Sequence, residues 1–147
     1  MSEKSSLSHH PAPAADQLST GMAAFLLYTG PAAWFVQLCT GEILTSWPCF
    51  PTLKRLDEPL AGYDWTRTAA IVVLLVCAAL AAASGVAAWH KLQSVMGERE
   101  GGHADLIEIG HGRTRFVALW GTILGVGFTV ATLVTLVAFI LVPRCLG

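Results

Sequence analysis

Few residues in this chain could do chemistry, and their spacing limits what that chemistry would be. Gln37 and Glu42 are the polar side chains of one long apolar run, and Cys49 and Cys145 stand just past the ends of two such runs. His9 and His10 are adjacent in a tail rich in Pro and Ala, where no further ligand lies nearby. Metal sites need three or four converging ligands, so a solvated pair is the plainer reading of these two. Glu108-x-x-His111 has the spacing of half a di-iron carboxylate site, which uses two such pairs and two further glutamates on packed helices. Here there is one pair, in a glycine-rich stretch, and a short interfacial turn over Ala104 to Ile109 accounts for it. No CxxC or CxxCH pair occurs, and no Ser/His/Asp set, phosphate loop or nucleotide fingerprint. No two histidines fall at mid-membrane depth, so this chain alone is not expected to bind haem, metal or another cofactor, and a non-catalytic role is expected.

The elements that must position these residues are apolar spans. The chain has 147 residues, of which 54% are hydrophobic and 13% charged, well below the quarter typical of soluble proteins. Net charge is −1, which offers no basic surface to nucleic acid. Three spans are predicted, at about 22–44, 68–89 and 116–142, each able to cross a hydrocarbon layer that needs about 20 residues. The last has no charged residue between Phe116 and Val142 and is long enough to tilt. Residues 1–21 are expected to form a flexible tail without the apolar core of a cleavable signal peptide, and residues 22–147 one transmembrane domain.

Within helix 1, Gly30-Pro31 predicts a kink, tolerated in lipid because neighbouring groups satisfy the freed carbonyl. Trp34, Gln37, Gly41 and Leu44 share one helical face. Gln37 cannot comfortably face lipid, so it should face another helix, of this protein or of a partner, as interhelical glue or beside a quinone or cofactor held by that partner. Glu42 lies five residues before the interfacial Trp47 and should be shallow and hydrated. Helix 2 is rich in small residues from Ala78 to Gly85, and helix 3 carries Gly121-x-x-x-Gly125, both signatures of close helix packing within the chain or onto a partner. Thr122, Thr129, Thr132 and Thr135 are expected to bond back to their own helix. Trp47, Tyr63 and Trp65 on one side, and Trp89 on the other, are placed as interfacial belts.

Three spans put Cys49 and Cys145 on one side whichever way the chain inserts. Pro48 and Pro51 should hold Cys49 in a rigid, extended stretch. Lys4, Lys91, Arg99, Arg113 and Arg115 lie on the N-terminal side, against Lys54, Arg55, Arg67 and Arg144 on the other. This narrow charge difference puts the N-terminus in the cytoplasm and the C-terminus in the periplasm, where a Cys49–Cys145 disulfide can form; two unrelated thiols are the alternative.

Gly30-Pro31-x-x-Trp34-x-x-Gln37-Leu38, Trp47-Pro48-Cys49, the run Arg115 to Gly121 and the terminal Pro143-Arg144-Cys145 resemble a group of small three-helix proteins encoded beside bacterial haem–copper cytochrome c oxidases. That group is expected to carry a polar residue, often His, where Gln37 stands. The glutamine here removes the imidazole that a metal or haem would take. The resemblance implies a multi-pass protein of the bacterial inner membrane, surrounded by lipids and integral membrane subunits of a respiratory redox complex, with haem and copper in those partners. An accessory subunit docking through the Trp34/Gln37/Gly41 or Gly121/Gly125 face is the first expectation. An oxidase assembly factor, copper-related if Cys49 and Cys145 are thiols, is the second. A small homo-oligomeric channel or transporter lined by Gln37 and Glu42 is the third.

Overall fold

A computed structural model describes residues 18–52, 54, 56–97, 109–142 and 145. It contains three helices: α1 (Thr20–Ser46), α2 (Trp65–Gly97) and α3 (Ile109–Leu141). All three are long and apolar enough to cross a membrane. Residues 1–17 of the predicted tail 1–21, residues 98–108 with Glu108, and the closing Pro143-Arg144 lie outside the described residues, while Thr20 and Gly21 of that tail belong to α1.

α1 and α2 outrun their predicted spans at both ends, and α3 does so at its start. α1 begins at Thr20 rather than Met22 because Ser19 caps it: the Met22 N–H donates to the Ser19 hydroxyl at 3.2 Å. α2 starts three residues early at Trp65 and continues eight residues past Trp89. α3 starts seven residues before Phe116. The apolar stretch marks where a helix crosses lipid, not where its backbone stops. The segments Lys91–Met96 and Arg113–Arg115 contain no proline, so the helices continue into water.

The chain packs as a bundle in which α1 and α3 run parallel and touch, and α2 packs against both in the opposite sense. The inward stripes are mostly small: Leu26, Gly30, Ala33 and Gln37 on α1; Ala78, Ala81, Ser84, Gly85 and Ala88 on α2; Ala118, Gly121, Gly125 and Thr132 on α3. Such residues suit a membrane bundle, where packing rather than water exclusion joins helices. Larger side chains close the end of the bundle where α1 begins, where buried Leu26, Ala88 and Val117 are covered by Leu18, Met22, Ala23 and Leu27.

Loop 1, the connection 47–64 between α1 and α2, does not run extended through Cys49. α1 unwinds into a turn, in which the Cys49 and Phe50 N–H groups both donate to the Ser46 carbonyl, at 3.1 and 2.9 Å. The loop then folds back. The Leu56 N–H donates to the Cys49 carbonyl at 2.9 Å and the Leu60 N–H to the Pro48 carbonyl at 3.0 Å, which buries Pro48 and Cys49. Proline at 48 fixes φ in a range that suits a turn as well as a strand, so the local sequence does not choose between them. A second turn, Leu60–Tyr63, places Gly62 at φ +90°, a conformation glycine adopts without strain. α2 then begins at Trp65.

Candidate functional site

Three close backbone approaches set the register of the bundle. A methyl group at Gly121 would meet the Ala88 Cβ at 3.1 Å on α2 and the Leu26 carbonyl at 3.1 Å on α1. One turn on, a methyl at Gly125 would overlap the Gly85 backbone of α2, and one at Gly30 of α1 would meet the Leu124 carbonyl at 3.4 Å and the Gly125 Cα at 3.6 Å. The Gly121/Gly125 motif is thus consumed inside this chain, by both other helices, and is not a free face for a partner. Gly30, expected as half of a kink, is also a contact. α1 is an unbroken helix through Pro31.

From this register follows a polar layer. Gln37 lies seven residues beyond Gly30, Thr132 seven beyond Gly125, and Ala78 seven before Gly85. Seven residues are two helical turns, so these three share one level. Trp34 packing on Phe128, with ring centroids 5.5 Å apart, fixes the turn between. Gln37 is 1% exposed and Thr132 is fully buried. Neither the Gln37 amide nor the Thr132 hydroxyl has a hydrogen-bond partner among the described residues. Thr132 therefore departs from expectation. Thr122, Thr129 and Thr135 do donate to the carbonyls four residues back, at 2.8, 2.6 and 2.9 Å, whereas Thr132 does not.

The depth of this layer can be read from the belts. Ala88 meeting Gly121 puts Trp89 and Trp120 at one level, and both are about half exposed. Trp47 and Trp65 mark the other side. Trp120 to Leu141 is 22 residues of α3, about 32 Å at 1.5 Å per residue, the thickness of a hydrocarbon core. Thr132 stands about 18 Å below the first belt and Gln37 about 15 Å from the second, near mid-membrane. An unpaired amide is most costly there.

The remaining predicted residues separate from this layer. Trp34 belongs to it through Phe128. Gly41 does not, since a methyl there would meet nothing within 4 Å, and Thr45 donates to its carbonyl at 2.9 Å. Glu42 is exposed and lies apart from Gln37. Cys49 and Cys145 are joined by a disulfide, with Cα atoms 5.4 Å apart. His111 sits in the first turn of α3, while its partner Glu108 falls outside the described residues, as do His9 and His10. Among the described residues no group of three His, Cys, Asp or Glu side chains could hold a metal ion.

Two participants escaped the sequence reading. Gly85 was one of seven small residues between Ala78 and Gly85, and its close approach depends on which face α2 turns inward. Thr132 was one of four similar threonines on α3, and its burial depends on the same rotation. Comparison with protein-family models, with curated proteins and with solved structures finds no match to this chain.

Proposed function

We propose that this chain is a non-catalytic accessory subunit of a bacterial respiratory electron-transfer complex, a cytochrome oxidase by the resemblance of its motifs, in the inner membrane with its N-terminus cytoplasmic. The observation that carries the reading is how little of the chain's apolar surface is used within the chain. Of the most apolar stretch of α3 only 11% is buried, and of α1 22%, against 39% for α2. Tyr28 and Phe35 on α1, and Phe116 and Trp120 on α3, project from these outer faces. Docking therefore falls on them, because Gln37 and the Gly121/Gly125 ridge are turned inward. The haem and copper of such a complex belong to its other subunits.

The two alternatives lose residues they need. Copper delivery requires Cys49 and Cys145 as thiols, and they are bonded to each other. A channel requires Gln37 and Glu42 on one path, yet the first is buried in the bundle and the second faces outward. The test is a pull-down of tagged protein in mild detergent, with a haem absorption spectrum of the eluate. Haem-bearing subunits in constant ratio are expected. A colourless protein, alone, would sink the proposal.

A further inference from the structure

α2 and α3 leave a groove of about 330 Å³ on their outer side, lined by Ala82, Gly85, Val86, Trp89 and, from α3, Thr122 and Val126 among others. Its floor lies where Gly85 meets Gly125, the closest approach of the two helices. Its wall is apolar even at Thr122 and Thr129, since both hydroxyls are donated into their own helix and only the methyl groups remain to face outward. The volume is at the low end of small-ligand sites, about 300–1,000 Å³. The groove lies within the hydrocarbon depth defined by the Trp belts, so its natural occupant is a flexible alkyl chain.

What stands at its mouth distinguishes one lipid from another. Along α3 the groove stripe runs Val126, Thr122, Leu119, Arg115, at steps of four, three and four residues, so Arg115 continues the same face two turns above Thr122. Arg115 is exposed, and it lies five residues, about 7.5 Å, beyond the Trp120 belt, which is headgroup depth. On α2 the same construction places Gln93 one turn above Trp89, across the mouth from Arg115. A guanidinium binds phosphate through paired N–H donors, and a carboxamide can add one more.

We propose that the α2–α3 groove is a binding site for an anionic phospholipid, one acyl chain lying between Ala82/Val86 and Val126/Val130 and the phosphate against Arg115. The site holds whether or not the chain serves a respiratory complex. It is tested on the purified full-length protein by native mass spectrometry, with phosphatidylglycerol and phosphatidylcholine of identical acyl chains in competition. About fivefold preference for phosphatidylglycerol is expected, the scale of one basic residue at an anionic headgroup. Arg115→Gln should bring the two lipids level. Equal retention by the unaltered protein, or an undiminished preference in R115Q, would overturn the proposal. Because both of these report the headgroup alone, a second measurement follows the chain. Phosphatidylglycerol brominated on its acyl chain should quench tryptophan fluorescence more than brominated phosphatidylcholine, and Trp89→Phe should remove that difference. Persistence of the difference in W89F would place the lipid elsewhere and overturn the groove.

Discussion

At the scale of single residues, Gln37 and Thr132 are the places where this chain departs from a low-energy membrane interior. Each holds a polar group at mid-membrane without a partner among the described residues. A buried, unpaired polar group costs about 1–3 kcal/mol, and replacing it with an apolar side chain of similar shape removes that cost. Gln37→Leu should therefore stabilise the isolated bundle by about 1–3 kcal/mol. Thr132→Val should act in the same direction, and the double variant should equal the sum of the two within about 0.5 kcal/mol. Unfolding of the purified protein in mixed micelles with a graded SDS fraction measures all three. Loss of stability in Q37L, or a large coupling between the sites, would mean that the two side chains bond to each other. If Q37L is more stable yet co-purifies less haem, then the glutamine is held against its stability cost for the sake of the complex.

At the scale of helices, the bundle depends on glycine where three backbones converge. Gly125 has Gly85 on one side and Gly30 on the other, and a methyl there would overlap the Gly85 backbone, which has no flexible end to move aside. Gly125→Ala should separate α2 from α3 and destabilise by about 1–3 kcal/mol or more. Gly127→Ala, two residues away, meets nothing within 4 Å and should be neutral or better, by up to about 1 kcal/mol of helix propensity. Measured together by the same unfolding titration, the pair separates a steric effect from a general one; equal effects would contradict the assigned register. This scale also shows how far the sequence could be read. The three spans were legible because an uncharged apolar run has few alternatives. Gly121 and Gly125 were legible as a close contact, but not its recipient, because small residues cover every face of α2 and the rotation that selects Gly85 is set by packing on both neighbours. The helix ends at Gly97 and Ile109 lie beyond the predicted spans because hydropathy reports lipid, whereas the backbone ladder runs on past the apolar stretch. The inward turn of Gln37 was legible from the cost of an amide in lipid. That it finds Thr132 on its level, and not a bond, required the register.

At the scale of the whole molecule, one covalent link closes the end of the bundle where α1 leads into α2. Cys49 and Cys145 are 96 residues apart in sequence, and their bond fastens loop 1 to the end of α3. For a soluble chain such a loop closure is worth about 4–5 kcal/mol, an overestimate in lipid, where the unfolded chain keeps its helices. Around the link, the turn from Ser46 to Phe50 and the returning Leu56 and Leu60 hydrogen bonds bury Cys49. The bond and its cover act together: the loop shields the sulfur, and the sulfur holds the loop across the ends of α1 and α3. A disulfide persists on an oxidising side, so locating the bond tests the proposed orientation of all three helices. In intact cells stripped of their outer membrane, a membrane-impermeant maleimide should leave Cys49 and Cys145 unlabelled, and should label both after reduction. Cys39 and Cys77 lie within the spans and should stay unlabelled throughout. Reduction should also lower the SDS fraction at which the bundle unfolds, and Cys49→Ser should reproduce that shift without reductant. Labelling confined to inverted vesicles would place the bond on the cytoplasmic side and reverse the proposed topology, while leaving the bundle and its register intact.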